Sequence, residues 1–285
     1  MKLALGTAQF GMSYGINNIA GQVSQQAAKQ ILEYSRTVGI HTIDTAIAYG
    51  SSEQCLGLSE VDDFEVITKL PLIPNNCDDI EDWVLREVKG SLNRLDIKCL
   101  HGLMLHRPDQ LYGRIGERVL ASLARLKETG FVRKIGVSVY DPLEFDQLFS
   151  LADFDIVQCP LNLMDRRLVD SGWLHKLTLK NVEVHTRSSF LQGLLLMERE
   201  DIPSKFKIWE CYWDRWDEWV QDNNVTRLRG CLSYCLSHGG VDKVVVGVDV
   251  KSQLEEIVVA SYAEVVDSFP DLTCSDPNLI NPANW

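Results

Sequence analysis

The sequence lacks any long apolar run. None approaches the roughly 18 consecutive apolar residues that a membrane-spanning helix requires. The first residues, MKLALGTAQFG, have too short an apolar part for a secretory signal peptide and soon turn to glycine and polar residues. We therefore expect a cytoplasmic protein that does not enter a membrane.

Basic charge is also scarce. The 285 residues include 28 Lys and Arg against 40 Asp and Glu, which gives a formal net charge of −12 at pH 7. Nucleic acids and anionic membrane surfaces attract proteins that carry a basic field. The charge balance therefore predicts neither of them as a partner, although it says little about any single pocket.

The sequence has no C-x-x-C pair among its eight cysteines. Helical spacing places Cys231 and Cys235 on one face, which leaves a thiol pair open there. Structural metal sites and disulfide frameworks have regular short spacings, so reduced, buried thiols are favoured over disulfides or metal ligands. The cysteines are Cys55, Cys77, Cys99, Cys159, Cys211, Cys231, Cys235 and Cys274.

What the sequence does contain is a repeated alternation of short apolar runs with longer segments of helical periodicity. Eight such units fit a closed parallel (β/α)8 TIM barrel, with residues 1–285 in a single domain. A doubly wound open sheet is the alternative, but GTAQFG after the first run is not its G-x-G-x-x-G fingerprint. The predicted strands are KLALG, IHTID, FEVITK, LHGLMLH, RKIGVSV, DIVQCP, VEVHTR and DKVVVGV.

Titratable residues occupy the ends of three consecutive predicted strands. Asp44, Lys69 and His106 take the last position of the second, third and fourth, and Tyr49 follows Asp44 by five residues. In a barrel the carboxyl ends of the strands form one rim, where active sites lie. Each residue alone could be a surface feature. Together they predict a proton-transfer site, because an ammonium can lower the pKa of a phenol and a carboxylate can keep that ammonium charged.

These residues resemble the motifs of the aldo-keto reductases. DTAIAYG is similar to the family's D-T-A-x-x-Y-G signature, ITKL to its catalytic-lysine strand and MLHRPD to its L-H-x-P-D segment, and IGVSVY, VQCPLN and LQGLL follow in the family's order. The resemblance runs from about Leu3 to Trp285. It implies NAD(P)H-dependent reduction of an aldehyde or ketone to an alcohol. Tyr49 would donate the proton, Lys69 would lower the pKa of its phenol, and Asp44 would keep Lys69 charged. His106 would orient the carbonyl, and no metal would be required.

The resemblance also implies a nicotinamide dinucleotide across the barrel mouth. The family's Ser-Asn pair is Ser138-Val139 here, so one amide contact is missing, and Arg187 stands where an aromatic ring often stacks. NADPH is the implied cofactor, but Asp249 would repel a 2′-phosphate that only Lys251 could hold, so NADH stays open. The implied cofactor-binding residues are Thr7, Asp44, Ser138, Gln158, Arg187, Ser188, Gly193, Gly247, Lys251, Gln253 and Glu256.

The substrate is less clearly indicated. Arginines near an open mouth would suit a polar or anionic carbonyl compound, such as a sugar derivative. The candidate walls of the substrate pocket are Phe10, Tyr14, Arg107 and Asn162, with Arg166 nearby.

A tryptophan-rich helical insert is expected at about residues 204–223, between the seventh and eighth strands. Trp209, Trp213 and Trp216 follow helical spacing, which predicts core packing rather than a lid that stacks on substrate. Trp219 falls off that stripe and is the better candidate for exposure.

Two other functions stay open. A Schiff-base aldolase or lyase on the same barrel would use Lys69 as a neutral nucleophile, which the charge of Asp44 disfavours. A non-catalytic relative could bind the dinucleotide as a regulatory subunit, which the presence of all four catalytic residue types disfavours. The oligomeric state is not predicted.

Overall fold

Eight parallel strands close into a barrel in the order of the sequence. The computed structural model describes residues 1–16, 18, 21–266 and 268–285. Strand β8 pairs with β1 and so completes the ring, which confirms the predicted (β/α)8 fold. The strands are β1 (Leu3–Gly6), β2 (Thr42–Asp44), β3 (Glu65–Leu70), β4 (Leu100–Leu105), β5 (Val132–Ser138), β6 (Ile156–Pro160), β7 (Glu183–Arg187) and β8 (Lys243–Gly247).

The helices lie between the strands, and several begin at capping side chains that the sequence predicts. Ser24 accepts a hydrogen bond from the backbone N–H of Ala27, and Asp79 accepts one from Asp82. The helices are α1 (Ala8–Gly11), α2 (Gln25–Thr37), α3 (Ser52–Gly57), α4 (Ile80–Leu95), α5 (Gly116–Glu128), α6 (Glu144–Leu151), α7 (Arg167–Asp170), α8 (Trp173–Leu179), α9 (Glu210–Asp222), α10 (Arg227–Ser237), α11 (Lys251–Tyr262) and α12 (Pro277–Ile280). Among the described residues, no helix combines the length and apolar character needed to cross a membrane.

The alternation of side-chain direction along the strands places a layer of polar residues next to a layer of apolar residues inside the barrel. Ile67, Met104 and Ile156, from β3, β4 and β6, form a buried cluster separate from the main hydrophobic core. Side chains two residues apart on a strand share a face. Lys69, His106 and Gln158 therefore follow these three residues on the same face, one layer closer to the carboxyl ends of the strands.

The tryptophan-rich segment folds as a short 3₁₀ turn, Ser204–Trp209, followed by α9. Trp213 and Trp216 are buried, as their spacing predicts. Trp219 is less buried than these two, as expected, but it is only partly exposed, because its ring stacks on Trp216 at 5.4 Å and on Phe269 at 6.2 Å. The partner Phe269 lies far along the chain, where helical periodicity cannot reveal it.

All eight cysteines are free thiols. Cys231 and Cys235 are both buried on α10, and burial raises the pKa of each thiol. Cys211 is the exposed one.

Candidate active site

The centre of the barrel mouth holds a buried ion pair. Lys69 Nζ donates to both carboxylate oxygens of Asp44, at 2.8 and 2.7 Å, and to the carbonyl oxygen of Thr45 at 3.0 Å. Asp44 ends β2, whereas Lys69 is the penultimate residue of β3 rather than its last. Burial lowers the pKa of Lys69 below its ordinary value, although Asp44 acts in the opposite direction. Three acceptors match the three protons of an ammonium, so we assign the charged form.

Tyr49 lies beside this pair in a tight turn. Lys69 Nζ is 5.3 Å from the centroid of the Tyr49 ring, and in the described structure no hydrogen bond joins the two side chains. The turn packs backbone to backbone against α1, because a side chain at Gly11 would collide with the carbonyl oxygen of Tyr49 and one at Gly50 with that of Gly11. Gly50 also adopts φ of +55°, which favours glycine. Two glycines therefore fix the position of the phenol.

The phenol of Tyr49 is held in its protonated form. Burial and the nearby Asp44 carboxylate raise its pKa above the ordinary value, while the Arg187 guanidinium lowers it. The expectation that Lys69 lowers the pKa of this phenol is therefore corrected, because burial, the largest cause, and the Asp44 carboxylate both raise it. A protonated phenol at neutral pH can donate a proton but does not act as a base.

His106 follows β4 by one residue and faces the same phenol. Its ring meets that of Tyr49 edge-on, with centroids 5.8 Å apart and planes at 83°. Burial and the positive charge of Lys69 lower the pKa of His106 to about 4. The imidazole is therefore neutral at physiological pH and can donate one hydrogen bond to a ligand oxygen.

A cavity of about 370 Å³ opens from this centre and runs across the ends of β6, β7, β8 and β1. It has Asp44 and Tyr49 at one end and residues of α11 at the other, as a dinucleotide site requires. Of the predicted residues it is lined by Thr7, Tyr14, Asp44, Tyr49, Gln158, Arg187, Ser188, Gly193, Gly247, Gln253 and Glu256.

Gln158 and Ser138 lie together beside the ion pair. Gln158 Nε2 donates to Asp44 Oδ1 at 2.6 Å, and Gln158 Oε1 accepts from Ser138 Oγ at 3.3 Å. Gln158 lines the cavity, while Ser138 stands behind it. The two side chains could hold the carboxamide of a nicotinamide ring, and the hydrogen bond from Gln158 links that position to the Asp44 carboxylate.

The loop after β7 forms a backbone concavity in the cavity wall. Ser188, Leu191, Gln192 and Gly193 all have positive φ, between +45° and +94°. Such backbone can turn successive N–H groups towards one side, but here Leu191 and Gly193 donate theirs to the carbonyl oxygens of Ser188 and Phe190, both at 2.9 Å. Asn162 Nδ2 supports the loop by donating to the carbonyl oxygen of Ser188 at 3.0 Å. Ser188 and Gly193 line the cavity and are the loop's candidates for contact with the pyrophosphate of a dinucleotide.

The far end of the cavity is acidic. Asp249 and Glu256 line it, and Gln253 Oε1 accepts from the backbone N–H of Asp249 at 2.7 Å. Lys251 does not line the cavity, because its ammonium pairs with Glu255 at 3.0 Å and lies over the ring of Tyr34. The residue expected to hold a 2′-phosphate is thus engaged elsewhere.

Three predicted substrate walls lie outside the cavity lining. Phe10 is fully buried, because α1 begins two residues after β1 and turns the ring into the core. Asn162 is also buried, where its Oδ1 accepts from the backbone of Met164 and Asp165. Arg107 is exposed and lies 3.6 Å from Asp109. Only Tyr14 lines the cavity as predicted.

Sequence reasoning missed several lining residues, among them Gln9, Asn18 and Gln192. Asn18 donates to Asp249 Oδ1 at 3.2 Å and so links the first loop to the acidic end. The polar residues Gln9 and Asn18, which follow the first strand closely, are the features of the sequence that could have indicated these positions. In the described part of the chain, no group of three or more His, Cys, Asp and Glu could hold a metal ion.

Comparison with known proteins agrees with this geometry. The model of the Aldo/keto reductase family matches residues 2–269. A rice protein named probable voltage-gated potassium channel subunit beta is 24% identical, covering 93% of each chain. D-arabinose 1-dehydrogenase of Saccharomyces cerevisiae is 26% identical, covering 88% of this chain and 81% of its own. L-galactose dehydrogenase of Arabidopsis thaliana is 26% identical, covering 90% of this chain and 85% of its own.

A solved structure supports the fold. The holo form of an aldo-keto reductase from Bacillus halodurans superposes with a TM-score of 0.73 at 20% identity, covering 93% of this chain and 88% of the other. At this identity the likeness concerns the barrel rather than the details of the site.

Proposed function

The chain belongs to the aldo/keto reductase family, whose members are oxidoreductases, and we propose that it reduces a polar aldehyde or ketone with Tyr49 as the proton donor. The observation that carries this proposal is the arrangement of Tyr49 beside the Asp44–Lys69 pair at one end of the elongated cavity. That the protein is an enzyme of this family with a nicotinamide cofactor rests on the family match.

The protein's own contribution is to position and protonate the carbonyl group. A bound nicotinamide dinucleotide supplies the hydride. Tyr49 donates its hydroxyl proton to the carbonyl oxygen, and Lys69 stabilises the resulting phenolate, with Asp44 keeping that ammonium charged and aimed. His106 donates a hydrogen bond from its neutral ring to the same oxygen. Gln158 and the Ser188–Gly193 loop hold the dinucleotide in place.

The ion-pair geometry argues against the Schiff-base alternative. A nucleophilic lysine needs a free lone pair on a neutral amine. Lys69 Nζ instead donates to three acceptors and lies in a bidentate contact with Asp44. We therefore infer that Lys69 acts through its charge and not as a nucleophile.

The cofactor follows from the acidic end of the cavity. The family resemblance implies NADPH, but two carboxylates would face a 2′-phosphate there, and Lys251 is paired with Glu255. A carboxylate accepts hydrogen bonds from a free ribose hydroxyl instead. We therefore propose that NADH is preferred over NADPH. Titration of the protein's tryptophan fluorescence with both would test this, and tighter NADPH binding would refute it.

Two relatives act on sugars by name, the D-arabinose and L-galactose dehydrogenases. With the amide side chains of Gln9, Gln158 and Gln192 in the cavity lining, this supports a polyhydroxylated or similarly polar carbonyl compound as substrate. Turnover of these sugars with NAD⁺, set against simple aromatic aldehydes with NADH, tests the substrate class. Turnover of the aromatic aldehydes alone would count against it.

The relatives named as channel beta subunits favour a second candidate, a dinucleotide-binding regulatory subunit. Such a protein would bind NADH yet reduce aldehydes slowly or not at all. The test is the steady-state turnover number with NADH and a panel of aldehydes. A value in the ordinary enzymatic range, about 1 s⁻¹ or more, supports the reductase. NADH binding with no measurable turnover supports the regulatory subunit.

A further inference from the structure

Arg187 is the only basic residue in the described lining of the cavity. None of the ion pairs within 4.0 Å among the described residues includes it, although the chain as a whole is acidic. The nearby Arg167 shows the usual arrangement, because it pairs with both Asp141 and Asp165. A half-buried guanidinium normally has a counter-ion, and the described part of the chain supplies none to Arg187 within 4.0 Å.

The guanidinium is nevertheless held in a fixed position. Arg187 Nη2 donates to the carbonyl oxygen of Val139 at 3.0 Å, and Nη1 donates to Ser188 Oγ at 3.3 Å. Its plane lies over the ring of Tyr140, with 4.3 Å between the central carbon and the ring centroid. These neutral partners orient the guanidinium group but do not balance its charge. An oriented, unpaired guanidinium can bind the two oxygens of a carboxylate or phosphate.

The charge is directed to the reacting end of the cavity. From the end of β7, Arg187 reaches across β6 to the end of β5, which is the direction away from β8 and the acidic end. Its positive charge acts to lower the pKa of Tyr49, Tyr14 and His106, although burial raises the pKa of the two phenols overall. The Asp44–Lys69 pair is internally balanced, so Arg187 leaves one unmatched positive charge beside the phenol.

We propose that Arg187 binds an anionic group of the substrate, a carboxylate or a phosphate, and so selects carbonyl compounds that carry such a group near the reactive carbon. This inference rests on the proposed reductase function and adds the substrate class to it. The anion completes the missing ion pair and docks the carbonyl against Tyr49.

The pyrophosphate of the dinucleotide is the other source of an anion. Ser188 and Gly193 line the cavity as the candidate contacts of that group, whereas Arg187 leans towards β5 and donates to the carbonyl oxygen of Val139. The geometry therefore favours the substrate, and the affinity for cofactor distinguishes the two sources.

The test compares matched substrates that differ in charge. Kinetics with NADH are measured for succinic semialdehyde against 4-oxobutanamide, and for glyceraldehyde 3-phosphate against glyceraldehyde, in the wild-type protein, Arg187→Gln and Arg187→Lys. Arg114→Gln is the matched control, because Arg114 is exposed in the loop before α5 and away from the cavity lining. Thermal unfolding verifies that each variant is folded.

We expect the wild type to prefer the charged member of at least one pair despite the protein's net negative charge. Arg187→Gln should lower that preference in kcat/KM by about 10- to 100-fold, the usual worth of a hydrogen-bonded charge pair. Arg187→Lys should restore part of it, and Arg114→Gln should keep it.

Two results would overturn the inference. One is a wild type that reduces neutral aldehydes with no charge preference, which leaves the reductase function intact. The other is an Arg187→Gln protein that keeps the preference but binds NADH more weakly, which assigns Arg187 to the pyrophosphate. If no aldehyde of either kind is reduced although NADH binds, the proposed function itself fails.

Discussion

The barrel carries two groups of titratable residues at opposite ends of its strands. The mouth group consists of Asp44, Lys69, Tyr49 and His106, at or just beyond the carboxyl ends of β2, β3 and β4. The base group consists of Glu65, His101, Lys134, Glu183 and His185, near the amino ends of β3, β4, β5 and β7.

Both groups pair carboxylates with cationic or histidine side chains, but they serve different roles. In the base group Glu183 contacts Lys134 and lies 2.6 Å from His185 Nε2 and 3.9 Å from His101 Nε2. Burial acts to raise the pKa of Glu183, but these neighbours outweigh it and hold the pKa well below the ordinary range. None of these residues lines the cavity. In such barrels the carboxyl ends of the strands carry activity and the amino ends contribute to stability. We therefore assign activity to the mouth group and stability to the base group.

The largest expected effect is on chemistry at the mouth. Tyr49→Phe removes the proton donor while leaving the Asp44–Lys69 pair intact. We expect kcat to fall by about 10³-fold, within the range for general acid catalysis, with the affinity for NADH and the free energy of unfolding little changed. Stopped-flow reduction and a fluorescence titration on the same preparation measure both. A loss of less than about tenfold would contradict the role of Tyr49.

The ion pair beneath the phenol should affect both activity and stability. Lys69→Met leaves the Asp44 carboxylate buried without its cation, which should lower the free energy of unfolding by about 3–5 kcal/mol. The double variant Lys69→Met/Asp44→Asn removes both charges and should recover most of the stability but none of the activity. Urea unfolding and NADH-dependent turnover check this. Recovered turnover in the double variant would show that the ammonium is dispensable.

The base group should affect stability alone. Glu183→Gln should lower the free energy of unfolding by about 1–3 kcal/mol at pH 7 and leave kcat within about twofold of the wild type, because the residue does not line the cavity. Urea unfolding and steady-state turnover measure the two effects. A large loss of kcat without a loss of stability would contradict the division of roles.

The pH dependence of that stability follows from the lowered pKa of Glu183. A carboxyl group with a lowered folded-state pKa contributes stability that is complete above its unfolded pKa of about 4.3 and is lost as the pH falls below it. The urea midpoint of unfolding should therefore fall more steeply for the wild type than for Glu183→Gln between about pH 5 and pH 3, the ordinary titration range of carboxyl groups. Parallel slopes would contradict the low pKa.

The smallest expected effect concerns His106. Because its pKa is lowered to about 4, the imidazole stays neutral as the pH falls through 6.5, the ordinary histidine value. The profile of kcat should show no break near that pH. A break near 6.5 that disappears in His106→Gln would show that the imidazole titrates normally.

Much of the fold and the core of the site could be predicted from sequence, because strand alternation and strand ends are local patterns. Asp44, Lys69 and His106 follow from them directly. The buried position of Phe10 and the stacking of Trp219 depend on where short helices and distant rings meet, which no local period encodes. The positive-φ loop at Ser188–Gly193 likewise has mostly non-glycine residues, so its backbone shape is not visible in the sequence.

The most direct test of the account is to follow the hydride itself. NADH carrying deuterium at C4, prepared separately as the 4R and 4S isomers, is incubated with the protein and succinic semialdehyde, and the alcohol is analysed by mass spectrometry. The account predicts that one isomer places its deuterium on the alcohol carbon and that Tyr49→Phe slows this transfer. An alcohol that carries no deuterium from either isomer would contradict the assignment of the barrel mouth as a carbonyl reductase site.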